Sequence, residues 1–295
     1  MHAADVHPDE LPTEVMDDVA SVLDAEVVVL GRLPGGINAG AMRVQLTGRT
    51  DAVLKAMPRT HPSQLDETLR AQRVVEHMRG RGYPTPAWLG VGATATHVWH
   101  LTDFVDAVPA PVLTPSLLEQ LTAIVELQAG QASEDHDHWR YAWRVASGRE
   151  AAVAGLPGHS SAVSGLVERV LHMGADVPAP RAAPDMVHAD LNPSNVLVRD
   201  GVVVSVVDIA NAGSGTRATD LVTVLWHTFE DPLADARERL WTHILGLVGW
   251  EWAGALVATQ ILLQLEWPIR VGRDDVVPHV VERGHRALDE LDLRR

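Results

Sequence analysis

Asp190 and Asn195, five positions apart, followed by a second aspartate, Asp208, are the residues of this 295-residue chain best suited by type and spacing to chemistry. They lie in MVHADLNPSNVLVRDGVVVSVVDIANAG, residues 186 to 213. Val196 to Arg199 and Val202 to Val207 are valine-rich runs joined by Asp200-Gly201, a dipeptide suited to a two-residue hairpin turn of type I′. Pairing Arg199 with Val202 sets Asn195 opposite Val206, so Asp208 falls close to Asn195 at the open end of one hairpin. Two hard oxygen donors there suit Mg²⁺, which completes its shell with waters and phosphate oxygens. Asp190, just before the hairpin, is placed to accept the proton of an attacking hydroxyl or to orient it. His188 reads as a buried histidine that holds backbone in place.

A cation is needed opposite those oxygens, and the chain offers a conspicuous one. Of its 24 lysines and arginines, only Lys55 is a lysine, a compact ammonium where a planar guanidinium would not substitute. Residues 26 to 32, 42 to 47 and 52 to 57 read as three antiparallel strands, with Lys55 on the third. The turn between the first two, LPGGINAGA, carries Gly35, Gly36, Asn38 and Gly40 and would let backbone amides approach a phosphate. It matches neither a G-x-x-x-x-G-K-[ST] loop nor G-x-G-x-x-G, and loose hairpin turns share its composition. HPSQLDETLRAQRVVEHMRGRGYPTP predicts a helix of about 16 residues with a capping box from Ser63 to Asp66. Ala71, Val74, Val75 and Met78 form its apolar face, and Glu67 falls within that face while Glu76 points away. Glu67 is therefore the expected partner of Lys55; the plainer alternative is a first-turn glutamate that favours the helix dipole.

Composition bounds the rest. With 46% hydrophobic residues the chain can bury a large core, and its length favours two lobes over one. The absence of cysteine excludes disulfides and thiolate metal sites. A formal charge of −15 argues against nucleic acid and favours a cationic partner, although acidic surfaces also serve solubility alone. The acidic opening MHAADVHPDELP lacks the apolar run of a secretory signal, so a cytoplasmic location is expected. Residues 244 to 265 are long enough to span a membrane, but Glu251 sits inside them, and a buried helix is the better reading. GVGATA at 90 to 95 reads as a strand connection, not a dinucleotide loop, and SEDHDHW at 133 to 139 as a solvated loop, not a metal site. From about residue 112 onward, the catalytic segment apart, the pattern is helical.

The ordered set resembles the aminoglycoside phosphotransferase family, which has a bilobal protein-kinase-like fold. VHADLNPSNVLV resembles that family's catalytic loop, and VVDIANAGSGTRATDL its metal-binding segment and the Asp-Leu opening the next helix. The resemblance runs from LPGGINAG to the C-terminal helices. It implies an α+β fold, with a small N-terminal β-sheet lobe carrying one helix (1–105) and a larger, mainly helical lobe (106–295). It implies Lys55 on the nucleotide phosphates, Glu67 as its ion-pair partner, Asp190 as catalytic base, Asn195 and Asp208 as Mg²⁺ ligands and Asp220 as a brace for the catalytic loop. Residues 97 to 111 would join the lobes, with backbone near Thr102 to Val105, Phe104 included, meeting the purine of ATP or GTP. Where many members carry an aromatic residue and a glutamate after the metal aspartate, this chain has Ile209, Ala210 and Asn211. Its helix glutamate also lies about one turn earlier than usual. The implied activity is transfer of the γ-phosphate to a hydroxyl of a small molecule, an antibiotic foremost, by a monomer or homodimer. A metabolite kinase of the same fold and a non-catalytic nucleotide-binding regulator are the alternatives. Glu230, Asp231, Glu266, Asp274 and Asp275 are acceptor-site candidates for substrate amines, and Trp226, Trp250, Trp252 and Trp267 for a pocket wall, most of them expected to be core or surface.

Overall fold

Alternating apolar and polar residues build the first part of the chain. The computed structural model describes residues 11–33, 40–229 and 231–295. Helix α1 (Thr13–Leu23) precedes strands β1 (Val27–Arg32), β2 (Ala41–Leu46) and β3 (Asp51–Pro58), helix α2 (Gln64–Arg79), and strands β4 (Trp88–Ala93), β5 (His97–Asp103) and β6 (Val108–Pro109). There follow helices α3 (Pro115–Glu126), α4 (His138–Ala146) and α5 (Ser161–Gly174) and strands β7 (Asp185–Val187), β8 (Val196–Arg199), β9 (Val202–Val206) and β10 (Gly213–Gly215). Helices α6 (Ala218–Trp226), α7 (Ala234–Arg270) and α8 (Val277–Asp292) complete it. The three strands expected around Lys55 are present to within one residue at each end, and GVGATA is the end of β4 and its turn into β5.

Two compact units divide the chain. One comprises the described residues up to Ala110 together with Ser194–Asn211, the other Pro111–Pro193 and Ala212–Arg295. A division into consecutive pieces at 105/106 is thus replaced by an interleaved one, because β8 pairs with both β6 and β9 and carries its hairpin into the first unit.

The first unit is a five-stranded antiparallel sheet in the order β1-β2-β3-β5-β4. Since successive side chains in a strand point to opposite faces, Met42, Val44, Leu46, Ala52, Leu54, Trp99 and Leu101 share one face and pack with Val15 and Val19 of α1 into a dry core. The other face carries Arg43, Val53, Lys55, His100 and Thr102; of these only His100 is buried. The register sets Lys55 opposite His100 and Val53 opposite Thr102.

The second unit is helical apart from the short β7–β10 pair. Side-chain caps start three of its helices: Thr114 accepts from the Leu117 amide at 3.2 Å, Asp137 from Arg140 at 2.9 Å and Ser160 from Val163 at 3.3 Å. Helix α7 packs against α4, α5, α6 and α8. By length and composition it could cross a membrane, with a mean hydropathy of 1.3 over its most apolar stretch, but half of that stretch is buried inside the unit. Gly249, at φ 74°, breaks the helix in two, a conformation that only a residue without Cβ adopts freely.

Candidate functional site

The first unit brings Lys55 and Asp208 together. Strand β3 presents Lys55 on the half-open face of the sheet, and its Nζ lies 2.8 Å from Asp208 Oδ1. The lysine side chain is 20% exposed and the aspartate 41%, so the pair is accessible to a ligand. Asp208 adopts φ 62°, the left-handed region that a non-glycine residue holds only against steric resistance. Such strain, of order 1–3 kcal/mol, concentrates at functional sites.

The β8–β9 hairpin supplies the neighbouring oxygen. Arg199 pairs with Val202 across an Asp200-Gly201 turn whose φ values are 52° and 76°, as a type I′ turn requires. An irregularity between Leu197 and Val198 then shifts the ladder, so that Val196, not Asn195, stands opposite Val206. Asn195 meets Val207 instead, accepting its amide at 2.9 Å, and so comes one residue nearer to Asp208 than an unbroken ladder allows. The donors at this end of the hairpin are an amide side chain and a carboxylate. That set fits Mg²⁺, which takes one or two carboxylates and leaves its other positions to water and phosphate.

Glu67 does not join them. It is exposed, accepts from Ser63 Oγ at 3.1 Å and stands 3.8 Å from His61 Nε2. Thr68 takes the place on the buried face of α2 that the helical wheel allots equally well to Glu67. Ser63 pairs with Glu67, and no capping box with Asp66 forms. Asp66 and Glu76 are exposed as well. Thr102 lies on the Lys55 face, half-buried. The amides of Asp103 and Phe104, expected to meet a purine, are already bonded to Ala87 O at 2.9 Å and Asp51 O at 3.1 Å, and the Phe104 ring carries the Arg43 guanidinium at 4.1 Å. Gly35, Gly36 and Asn38 lie outside the described residues.

The second unit holds Asp190 in a braced loop. Asp220, fully buried at the start of α6, accepts the amides of His188 at 2.7 Å and Ala189 at 2.9 Å and the Gln128 side-chain amide at 2.9 Å. Burial pushes its carboxyl above the ordinary range, while the His188 ring and these donors pull it back down. Ala189 stands at φ 70°, and the Asp190 amide donates to His188 Nδ1 at 3.2 Å. His188 is wholly buried, so it holds backbone as expected. The Asp190 side chain emerges exposed, accepting from Asn192 Nδ2 at 2.7 Å.

The acceptor-site candidates scatter. Glu266 pairs with Arg270 at 2.7 Å, Asp275 with Arg273 at 2.8 Å, and Asp274 lies 3.8 Å from His159. Trp226 is buried, Trp250 donates to Leu291 O at 3.2 Å, Trp252 packs edge-on against Trp139, and Trp267 is half-buried. Glu230 and the Asp231 side chain lie outside the described residues. Residues 133–139 are more structured than a solvated loop. Asp137 caps α4, His138 is buried, and Gly213 lies so close to His136 that an added Cβ would come within 2.2 Å of its carbonyl. Among the described residues no three metal-binding side chains gather there or elsewhere. Gln128, Asn192 and His100 escaped the sequence reading; only His100 left a signal, a polar residue inside the apolar run HVWHL.

Solved structures resemble the chain over nearly its full length, three of them as follows. A thermostable mutant of aminoglycoside phosphotransferase APH(4)-Ia, in ternary complex with ADP and hygromycin B, superposes with a TM-score of 0.70 at 16% identity, covering 94% of this chain and 98% of that one. Macrolide 2′-phosphotransferase MphH from Brachybacterium faecium gives 0.58 at 15%, covering 92% and 97%, and a putative fructosamine-3-kinase from Thermobifida fusca 0.58 at 21%, covering 95% and 100%. No curated protein matches the sequence. The model of the phosphotransferase enzyme family APH matches residues 30–256, a span that holds both the Lys55–Asp208 pair and the Asp190 loop, and the chain belongs to that family.

Proposed function

We propose that the protein transfers the γ-phosphate of ATP or GTP to a hydroxyl of a small polar molecule, an antibiotic foremost among the acceptors. The observation that carries this reading is the Lys55–Asp208 pair at 2.8 Å, beside Asn195 at the end of one hairpin. Family membership and the likeness to kinases of antibiotics and fructosamine support it. Lys55 exchanges Asp208 for the phosphate oxygens of the nucleotide, as a mobile ammonium can. Asn195 and Asp208 would hold Mg²⁺, which would offset charge on the phosphates. The Asp190 carboxylate, oriented by Asn192, takes the proton of the acceptor hydroxyl. The formal charge of −15 favours an acceptor that carries amines.

Transfer from radiolabelled ATP and GTP across a panel of antibiotics and metabolites tests the activity. Asp190→Ala is expected to keep nucleotide affinity and lose turnover by about 10²–10⁴-fold. Cells expressing the wild type and this variant separate the two acceptor classes, because resistance that vanishes with Asp190 marks an antibiotic. Near-wild-type turnover in the variant would remove Asp190 from the mechanism.

A further inference from the structure

Three observations in the first unit converge on His100. It stands directly opposite Lys55 across the β3–β5 ladder, and opposed residues project from the same face of a sheet. Its ring lies flat against the Trp88 indole, with centroids 4.4 Å apart and planes 8° from parallel. Its Nδ1 is buried and takes no hydrogen bond among the described residues. Leaving a buried polar atom unpaired is costly, and such a group in a native fold calls for an explanation. Stacking on Trp88 needs only an aromatic ring, so it does not account for the nitrogen.

Lys55 has the complementary need. Its ammonium offers three donors, and among the described residues it meets one carboxylate, Asp208, which a metal ion would claim. The acids of α2 do not replace it, since Asp66, Glu67 and Glu76 are all exposed.

We propose that His100 is a positioning residue for Lys55: when the nucleotide draws the ammonium off Asp208, Lys55 donates a hydrogen bond to His100 Nδ1, which holds it against the phosphates. Burial, helped by the charge of Lys55 and opposed by Asp208, lowers the imidazole pKa to about 4, so the ring is neutral and has a lone pair to offer. A neutral acceptor fixes the ammonium without cancelling its charge, which stays whole for the phosphates. The inference rests on the reading of Lys55 as the phosphate grip.

The chain's single lysine makes the test direct, since ¹⁵N-lysine labelling yields one side-chain signal. Adding ADP to the wild type should sharpen the Lys55 ammonium signal and shift the His100 Nδ1 resonance as that nitrogen accepts a bond. His100→Phe, which keeps the stack but not the nitrogen, should weaken ADP binding about tenfold, the effect of one charge-assisted hydrogen bond, and leave the ammonium signal broad. His100→Asn, with an amide oxygen near the Nδ1 position, should restore part of both. A Phe variant that loses thermal stability yet keeps wild-type ADP affinity and a sharp Lys55 signal assigns His100 to the core and overturns the proposal. So does a His100 Nδ1 resonance that ADP leaves unmoved in the wild type, a measurement that survives even if the Phe variant fails to fold. If the wild type binds neither ADP nor GDP, the phosphate-grip reading falls together with this one.

Discussion

Asp208 and Asp220 are the same residue type put to opposite uses in the two units. Asp208 is 41% exposed, sits in a strained backbone conformation and meets Lys55 at one of its oxygens. Asp220 is fully buried and accepts three amide donors, two from backbone and one from Gln128. On the proposed function Asp208 would change partners, from lysine to metal, and it lies near water, where breaking an ion pair is inexpensive. A carboxylate that must hold a loop at φ 70° is placed where every lone pair counts, because a donor orphaned in the interior has no water to turn to.

The sharpest way to break this contrast is to truncate both. Asp220→Ala strands two backbone amides and the Gln128 amide, each worth about 1–3 kcal/mol when buried unpaired, so a loss of about 3 kcal/mol or more is expected in urea unfolding. Asp208→Ala removes a solvent-accessible pair and leaves the left-handed φ in place, and should change stability by less than about 1 kcal/mol. Equal losses in the two variants would show that Asp208 is also a structural carboxylate.

The two aspartates were not equally legible in the sequence. The hairpin that positions Asp208 is written locally, in alternating valines and an Asp-Gly turn, and so is the strand that carries Lys55. What the pattern could not carry is the irregularity at Leu197–Val198, which moved Asn195 by one residue, because a bulge is a choice between nearly equal registers settled by packing. Glu67 failed for a related reason. At the first turn of α2 a rotation of 100° separates Glu67 from Thr68, and the apolar stripe of Ala71, Val74, Val75 and Met78 is wide enough to admit either. Gln128 lies 92 residues from Asp220, and no local spacing announces a partner so far away. The interleaved units follow from β6 meeting β8 across a similar distance.

Acid should reach both units through histidines instead of aspartates. Burial holds His100 at a pKa of about 4, and burial with the charge of Arg283 holds His227 at about 4 in the second unit. The unfolded chain binds a proton at each site below about pH 6.5, while the folded chain resists until about pH 4, so stability is full above 6.5 and falls as the pH drops toward 4. For the well-buried His100 the loss amounts to about 3 kcal/mol across that window, less whatever Asp208 recovers by attracting the charged ring. Urea titrations at pH 7, 5.5 and 4.5 should show this slope, flattened in part by His100→Phe and in part by His227→Phe. A slope indifferent to either change would place the acid sensitivity elsewhere in that unit.

The smallest expected effect on folding is the most informative about Asp208's partner. Lys55→Met removes the ammonium, keeps most of the stem, and leaves Asp208 facing water, so unfolding free energy should move by less than about 1 kcal/mol. His100 should then titrate closer to its ordinary value, since one of the two influences that depress it is gone. Nucleotide affinity should nevertheless fall by about tenfold or more, since one charge-assisted contact to phosphate is lost. A fold that barely notices losing its only lysine, beside a binding site that depends on it, is the behaviour expected of a charge kept for a ligand. A Lys55→Met protein that loses stability as heavily as Asp220→Ala would instead make the pair at β3 a structural clamp of the same kind as the one at α6.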